Sequence, residues 1–115
     1  MKKTAIIKRN HDFLRMYRRG KQEVDGVLVT YCIRNRLGKN RIGITASKKV
    51  GGAVQRNRAK RLIRAAYTAL EPTLPQGYDF IFVARSRTTH CKMQEVCAAM
   101  KRQISGLTAP AEKKP

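Results

Sequence analysis

GGAVQRNRAKRLIRAAYTAL, residues 51–70, decides the architecture of this chain. Two glycines open it and mark a sharp loop before Ala53. No further Gly or Pro occurs until Pro72, and Ala, Arg, Leu and Gln dominate, all strong helix formers. At steps of roughly 100°, Ala59, Leu62, Ile63, Ala66, Tyr67 and Leu70 fall in one apolar arc. Asn57, Lys60, Arg61 and Arg64 fall on the opposite side, with Arg56 and Arg58 at the boundary. The spacing predicts a helix over 53–70, one face anchored in a core and the other cationic. Pro72 and Pro75 end it.

Strand signals flank this helix. Arg41–Ala46 precedes it, and the apolar run Tyr78–Ala84 follows it at the length of a buried strand. Further upstream, Val27–Ile33 alternates, with Val27, Val29, Tyr31 and Ile33 on one face and Leu28, Thr30 and Cys32 on the other. Arg34–Asn40 contains Asn, Gly and Asn and reads as a hairpin turn, which makes Arg41–Ala46 the returning strand. Near the start, Asn10 is the expected N-cap of a helix with Asp12 in its first turn, Phe13, Leu14 and Tyr17 on one face, and Gly20 as its stop. A short extra strand fits Lys21–Val24. A last helix over Met93–Leu107 carries Val96, Cys97, Met100 and Ile104 as its apolar stripe. The order α-β-β-α-β-α, with the extra strand, describes an α/β (α+β) sandwich in which helices cover a small mixed sheet. Residues 1–107 form the single domain, and 108–115, TAPAEKKP, read as a disordered tail.

Charge narrows the function. Lys and Arg number 26 and Asp and Glu 7, a net charge of +19. Self-repulsion on that scale disfavours compaction unless an anionic partner offsets it, and a polyphosphate does so with release of its counterions. An anionic membrane surface is the rival partner, but no run approaches the ~18 apolar residues of a span, and Ala5–Ile7 is too short for a signal peptide. The segment from Lys48 to Arg64 has no acidic residue, whereas a merely solvated helix mixes signs to gain pairs one turn apart. Ser47, Lys48, Lys49, Gly51 and Gly52 lead into its N-terminus, a favourable place for an anion, although the Walker A spacing is missing. Cys32, Cys91 and Cys97 are odd in number and lack zinc-ligand spacing, which suits reduced, mostly buried thiols of a cytoplasmic protein.

The stretch Ala46–Arg64, ASKKVGGAVQRNRAKRLIR, closely resembles the signature of the bacterial ribonuclease P protein family. Its core stands here as Arg56, Asn57 and Arg58, followed by Lys60, Arg61 and Arg64. Phe13 and Tyr17 on the first helix, Val29 and Tyr31 on a strand, and Asp79–Arg85 match in the same order, so the likeness covers about residues 8–104. Ala65 departs from it, since the family often carries Glu or Gln there. The resemblance implies an α-β-β-β-α-β-α fold with a left-handed βαβ crossover, similar to ribosomal protein S5 domain 2; a right-handed connection is the ordinary expectation.

The resemblance also implies a function: the protein subunit of an endoribonuclease whose catalytic RNA removes the 5′ leader from precursor tRNA with Mg2+ bound mainly by the RNA. Lys48, Lys49, Arg56, Asn57, Arg58, Lys60, Arg61 and Arg64 would face the catalytic RNA, in a 1:1 complex with one protein monomer. Phe13, Tyr17, Val29 and Tyr31 would line a cleft for the single-stranded leader, where rings within basic flanks suit sequence-tolerant stacking. By residue pattern alone an i,i+4 aromatic pair belongs to a core more often than to a cleft; the resemblance reverses that expectation. A structural RNA-binding protein of the ribosomal type is the alternative. A self-sufficient nuclease is disfavoured: Asp12, Glu23, Asp25, Glu71, Asp79, Glu95 and Glu112 are scattered, without a pair spaced to hold two metals, and His11 and His90 are far apart in sequence.

Overall fold

A computed structural model of the chain describes residues 3–109. Its elements are β1 (Ala5–Ile6), α1 (Asn10–Arg19), β2 (Lys21–Val24), β3 (Leu28–Arg34), β4 (Arg41–Thr45), α2 (Ala53–Leu70), β5 (Tyr78–Ala84) and α3 (Met93–Thr108). Three single 3₁₀ turns, Lys48–Val50, Glu71–Thr73 and Ser86–His90, join them. The sheet has five strands in the order β1-β4-β5-β3-β2. β5 runs parallel to β4 and antiparallel to β3, β1 is parallel to β4, and β2 is antiparallel to β3.

The sequence expectation of a β3–β4 hairpin is therefore wrong. β5 lies between those strands, with Asp79 opposite Ile33 of β3 on one side and Arg41 of β4 on the other. The physical reason is burial. Asp79, Phe80, Ile81, Phe82 and Ala84 are all inaccessible or nearly so, and a strand covered on both faces takes the sheet centre. Residues 35–40 bridge two strand spacings, roughly 9–10 Å, instead of making a tight turn. Asn35 shapes that bridge: its Oδ1 accepts from Leu37 N–H at 2.9 Å and its Nδ2 donates to Lys39 O at 3.1 Å and to Asp79 Oδ1 at 2.7 Å.

α2 and α3 cover one face of the sheet. Ile63, Ala66 and Tyr67 of α2 and Val96, Met100 and Ile104 of α3 pack on Leu28, Cys32, Ile42, Phe80 and Phe82. The arc expected for α2 is the buried one, with Leu62 and Leu70 half-covered at its edges. On α3, Val96, Met100 and Ile104 are buried as expected and Cys97 is half-buried. Buried Gln103 ties α3 to β3, accepting from the Thr30 hydroxyl at 2.6 Å and donating to Leu28 O at 2.9 Å. Burial pushes the Cys32 thiol up to about 12, so it is an inert core group. α3 extends through Thr108, whose hydroxyl donates to Ile104 O. The rest of the expected tail, from residue 110, lies outside the described residues.

α1 covers the other face. Its fully buried anchor is Met16, packed with Ile7 and Ile81, whereas Leu14 is half exposed. The expected face of Phe13, Leu14 and Tyr17 is corrected to one that includes Met16. Arg9, not Asn10, is the N-cap, and it makes no side-chain cap bond. Gly20 leaves the helix in extended backbone, its N–H donating to Met16 O, and a Cβ there would lie 2.7 Å from that oxygen, which favours glycine at the cap. The two-residue strand β1 has no period for sequence reading to detect. Next to it, the Thr4 hydroxyl meets Tyr67 Oη and donates to buried Glu71, tying the N-terminal segment to the end of α2.

A buried ion pair fixes the strand registers. Arg41 donates through Nε and Nη2 to the two oxygens of fully buried Asp79 at 3.0 and 2.6 Å, and Asp12 of α1 lies 3.8 Å from Arg41. Removing one partner leaves a buried charge without its main counterion. Arg41→Ala is expected to cost about 3 kcal/mol of unfolding free energy, read as a lower urea midpoint at unchanged m-value. A midpoint equal to that of the parent protein would contradict this account.

Candidate nucleic-acid interface

The cationic face of α2 is presented to solvent as a braced surface. Asn57, Arg58, Arg61 and Arg64 are exposed, and Arg56 and Lys60 are half-buried. Buried Val50 anchors the preceding 3₁₀ turn and leaves Lys48 and Lys49 exposed. Ser47 Oγ accepts from Lys49 N–H at 3.3 Å, and Gly51 adopts a φ of 139° that disfavours a side chain. Arg56 Nη1 donates back to Gly51 O at 3.0 Å, so this cation closes the loop as well as contributing charge. Arg58 Nε donates to Thr89 O at 3.0 Å, which leaves its two terminal nitrogens facing outward. Ser86 Oγ donates to Lys49 O at 3.0 Å.

The 3₁₀ turn Ser86–His90 is thus a strut for both the lysine loop and Arg58. Sequence reasoning missed it because the contacts join residues more than thirty positions apart. It also missed Val54, 75% exposed, which with Asn57, Lys60, Arg61 and Arg64 lines an open hollow of about 580 Å³. Val54 shares the helical phase of Asn57 and Arg61, so the periodicity held that signal. Among the described residues, no ion pair engages a cation between Lys48 and Arg64. The acids are occupied elsewhere: Asp12 and Asp79 with Arg41, and Asp25 with Arg102 at 2.8 Å.

The aromatic residues of α1 gather on the opposite face of the sheet. Phe13 and Tyr17 have centroids 6.5 Å apart, and Tyr17 meets Tyr31 of β3 edge-on at 5.0 Å. Phe13 lies over Gly43, where an added Cβ would be 2.6 Å from its ring, so glycine makes the seat for that ring. Phe13 is half-buried and Tyr17 is 41% exposed. Val29 and Tyr31 are half-buried on the same sheet face as Ile33 and Val83. Phe13, Tyr17 and Tyr31 thus form a partly open apolar step, with Val29 two residues along β3 on the same face; Phe13 is seated on Gly43 and Tyr17 is the ring most open to solvent. β4 joins the two surfaces: it passes beneath Phe13 at Gly43 and leads into the Lys48–Val50 turn.

Comparison with known proteins places these features in one family. The family model described as Ribonuclease P matches residues 1–108. The chain is 44% identical over 96 residues to the "Ribonuclease P protein component" of Pelotomaculum thermopropionicum, covering 84% of this chain and 86% of that protein. Among solved structures, the Staphylococcus aureus RNase P protein superposes with a TM-score of 0.77 at 28% identity, covering 90% of this chain and 94% of that one. The Thermotoga maritima RNase P protein has the same fold, with a TM-score of 0.75 at 23% identity, covering 84% and 91%.

The two rings of α1 have separable roles in stability. Gly43→Ala drives a methyl into the Phe13 seat and is expected to cost about 1–3 kcal/mol. Tyr17→Ala, at an exposed position, is expected to cost under about 1 kcal/mol. Thermal unfolding of the two variants checks this, and equal losses would contradict the assignment of Phe13 to the core.

Proposed function

The chain belongs to the ribonuclease P protein family, and from that premise we propose how it serves as the protein subunit of the ribonuclease P ribonucleoprotein. The observation that carries the proposal is the acid-free, braced cationic face from Lys48 to Arg64. Lys48, Lys49, Arg56, Asn57, Arg58, Lys60, Arg61 and Arg64 bind the catalytic RNA. Their positive charge offsets phosphate repulsion where RNA strands converge and releases condensed counterions on assembly. The guanidinium groups of Arg58, Arg61 and Arg64 match phosphate oxygens in pairs. Arg58 is pre-set for this, because its Nε is already held by Thr89 O.

The step formed by Phe13, Tyr17, Val29 and Tyr31 takes the single-stranded 5′ leader of precursor tRNA. Tyr17 supplies the exposed ring against which a base stacks, and Phe13 fixes the height of the step. Stacking of this kind is tolerant of sequence, which suits leaders that differ among tRNAs. Endonucleolytic removal of the leader is performed by the RNA subunit, with Mg2+ held mainly by RNA. The chain's own contribution is binding and orientation. One protein monomer joins one RNA in the cytoplasm.

Reconstitution tests this reading. Cleavage of precursor tRNA at low Mg2+ by the catalytic RNA is expected to require the protein. Arg58→Ala and Arg61→Ala should each weaken RNA assembly and lower the magnitude of the log Kd against log salt slope by about 1, with little change in Tm for Arg61→Ala. Protein that leaves low-Mg2+ cleavage unaltered, or an unchanged salt slope in both variants, would sink it. Tyr17→Ala should raise KM for substrates with a long leader and leave leaderless tRNA binding unchanged.

A further inference from the structure

Beside the cationic face lies a second, chemically different hollow. Arg58, Arg61, Leu62 and Ala65 are spaced i, i+3, i+4 and i+7, so they form one stripe along α2. With Met93 at the start of α3 they line an open pocket of about 330 Å³. That is at the lower end of small-ligand sites, roughly 300–1,000 Å³, and suits a single heterocycle. Its floor is apolar: Leu62 is half-buried, Ala65 carries only a methyl group, and Met93 is 39% exposed. Met93 is held in place, since its sulfur lies 3.4 Å from Cys97 Sγ, and that thiol also reaches Ala66 O at 3.8 Å. Arg58 is held by the Thr89 carbonyl, which fixes one guanidinium at the rim. An exposed methionine and alanine between two unpaired arginines contribute little to the fold, whereas a planar, electron-rich ring would use all of them.

We propose that this pocket receives one unstacked nucleobase of the RNA bound along α2. The inference rests on the reading of α2 as the RNA-binding helix and adds a base-binding subsite to its phosphate contacts. A guanidinium stacks on a base face, and a thioether packs favourably against an aromatic ring. Because Arg58 is already held by the Thr89 carbonyl, less side-chain freedom remains to be lost on binding. Charge decides the class of occupant: two guanidinium groups at the rim, on a helix face without acids, favour a ring that carries a phosphodiester over an uncharged apolar side chain.

Salt dependence separates a buried base from a neutralised phosphate, since only the latter contributes to the slope. Binding of the catalytic RNA to the full chain would be measured over a salt series for the parent protein and for Ala65→Leu, Met93→Ser and Arg61→Ala. Ala65→Leu fills the pocket without changing charge at an exposed helical position; Met93→Ser empties one wall. Both are expected to raise Kd about tenfold at every salt concentration with the slope unchanged, while Arg61→Ala lowers the slope. Affinity unchanged in Met93→Ser would overturn the proposal, because a mere steric clash explains Ala65→Leu but not the loss of a wall. A reduced slope in Ala65→Leu or Met93→Ser would overturn it as well, by reassigning the effect to displaced phosphates. If both variants bind normally while Arg61→Ala still lowers the slope, the nucleobase site fails and the RNA-binding reading of α2 stands. An unchanged slope in Arg61→Ala together with salt-independent binding of the parent protein would remove both.

Discussion

The carboxylate of Asp79 has no exposed surface, and the sheet is arranged so that it need not lack partners. Arg41 meets it from β4, Asn35 from the β3–β4 connection, and Arg15 approaches to 3.8 Å from α1. One anion therefore sets three things together: the register of the two strands beside β5, the path of residues 35–40, and the placement of α1 over the sheet. A buried ion pair adds little net stability relative to apolar groups of the same shape, and its value is in specifying one arrangement over others. Here the arrangement specified is β5 between β3 and β4, from which the positions of the two proposed binding surfaces follow.

Those surfaces divide the chain's charge by function. Acids are spent on internal ties: Asp79 and Asp12 on Arg41, Asp25 on Arg102, and Glu71 on Thr4. Among the described residues, none forms an ion pair with a cation of α2. The repulsion among its cations is tolerated because the opposite face of the same helix is anchored by Ile63, Ala66 and Tyr67, which are fully buried. The helix couples core to surface: its apolar arc is anchored in the core and its polar arc is the proposed RNA interface, while Arg56 and Arg58 also brace the structure through their bonds to Gly51 and Thr89.

How much of this was legible in the sequence depends on the range of the signal. α2 and β5 have the bounds that periodicity and proline placement indicate, since both are long, locally consistent elements. The cations of α2 were legible for the same reason. What failed was pairing. Asn35, Gly38 and Asn40 announce a turn, but nothing within residues 27–46 shows that a strand some forty positions later will separate the two arms. Leu14 and Met16 are two residues, roughly 200°, apart and lie on opposite flanks of the Phe13–Tyr17 pair, so the pattern offered either as the third member of that face, and Met16 was overlooked. The strut from Ser86 to His90 was invisible because each of its contacts, Ser86 Oγ to Lys49 O and Arg58 Nε to Thr89 O, joins a side chain to a backbone carbonyl more than thirty positions away. The aromatic step was the intermediate case: Phe13, Tyr17 and Tyr31 do gather, yet only the structure separates the ring seated on Gly43 from the ring left open to solvent.

The insertion of β5 between β3 and β4 also has a consequence for the order in which the chain can fold during synthesis. β3 and β4 are made early, but their facing edges have no partner until residues 78–84 emerge. Over that interval the nascent chain carries two unpaired strand edges, the exposed state that favours association with other chains. A dense positive charge on the segment made in the meantime, α2 and its approach, keeps such chains apart by mutual repulsion. The cations of the proposed RNA-binding face can therefore also protect the half-made sheet from aggregation.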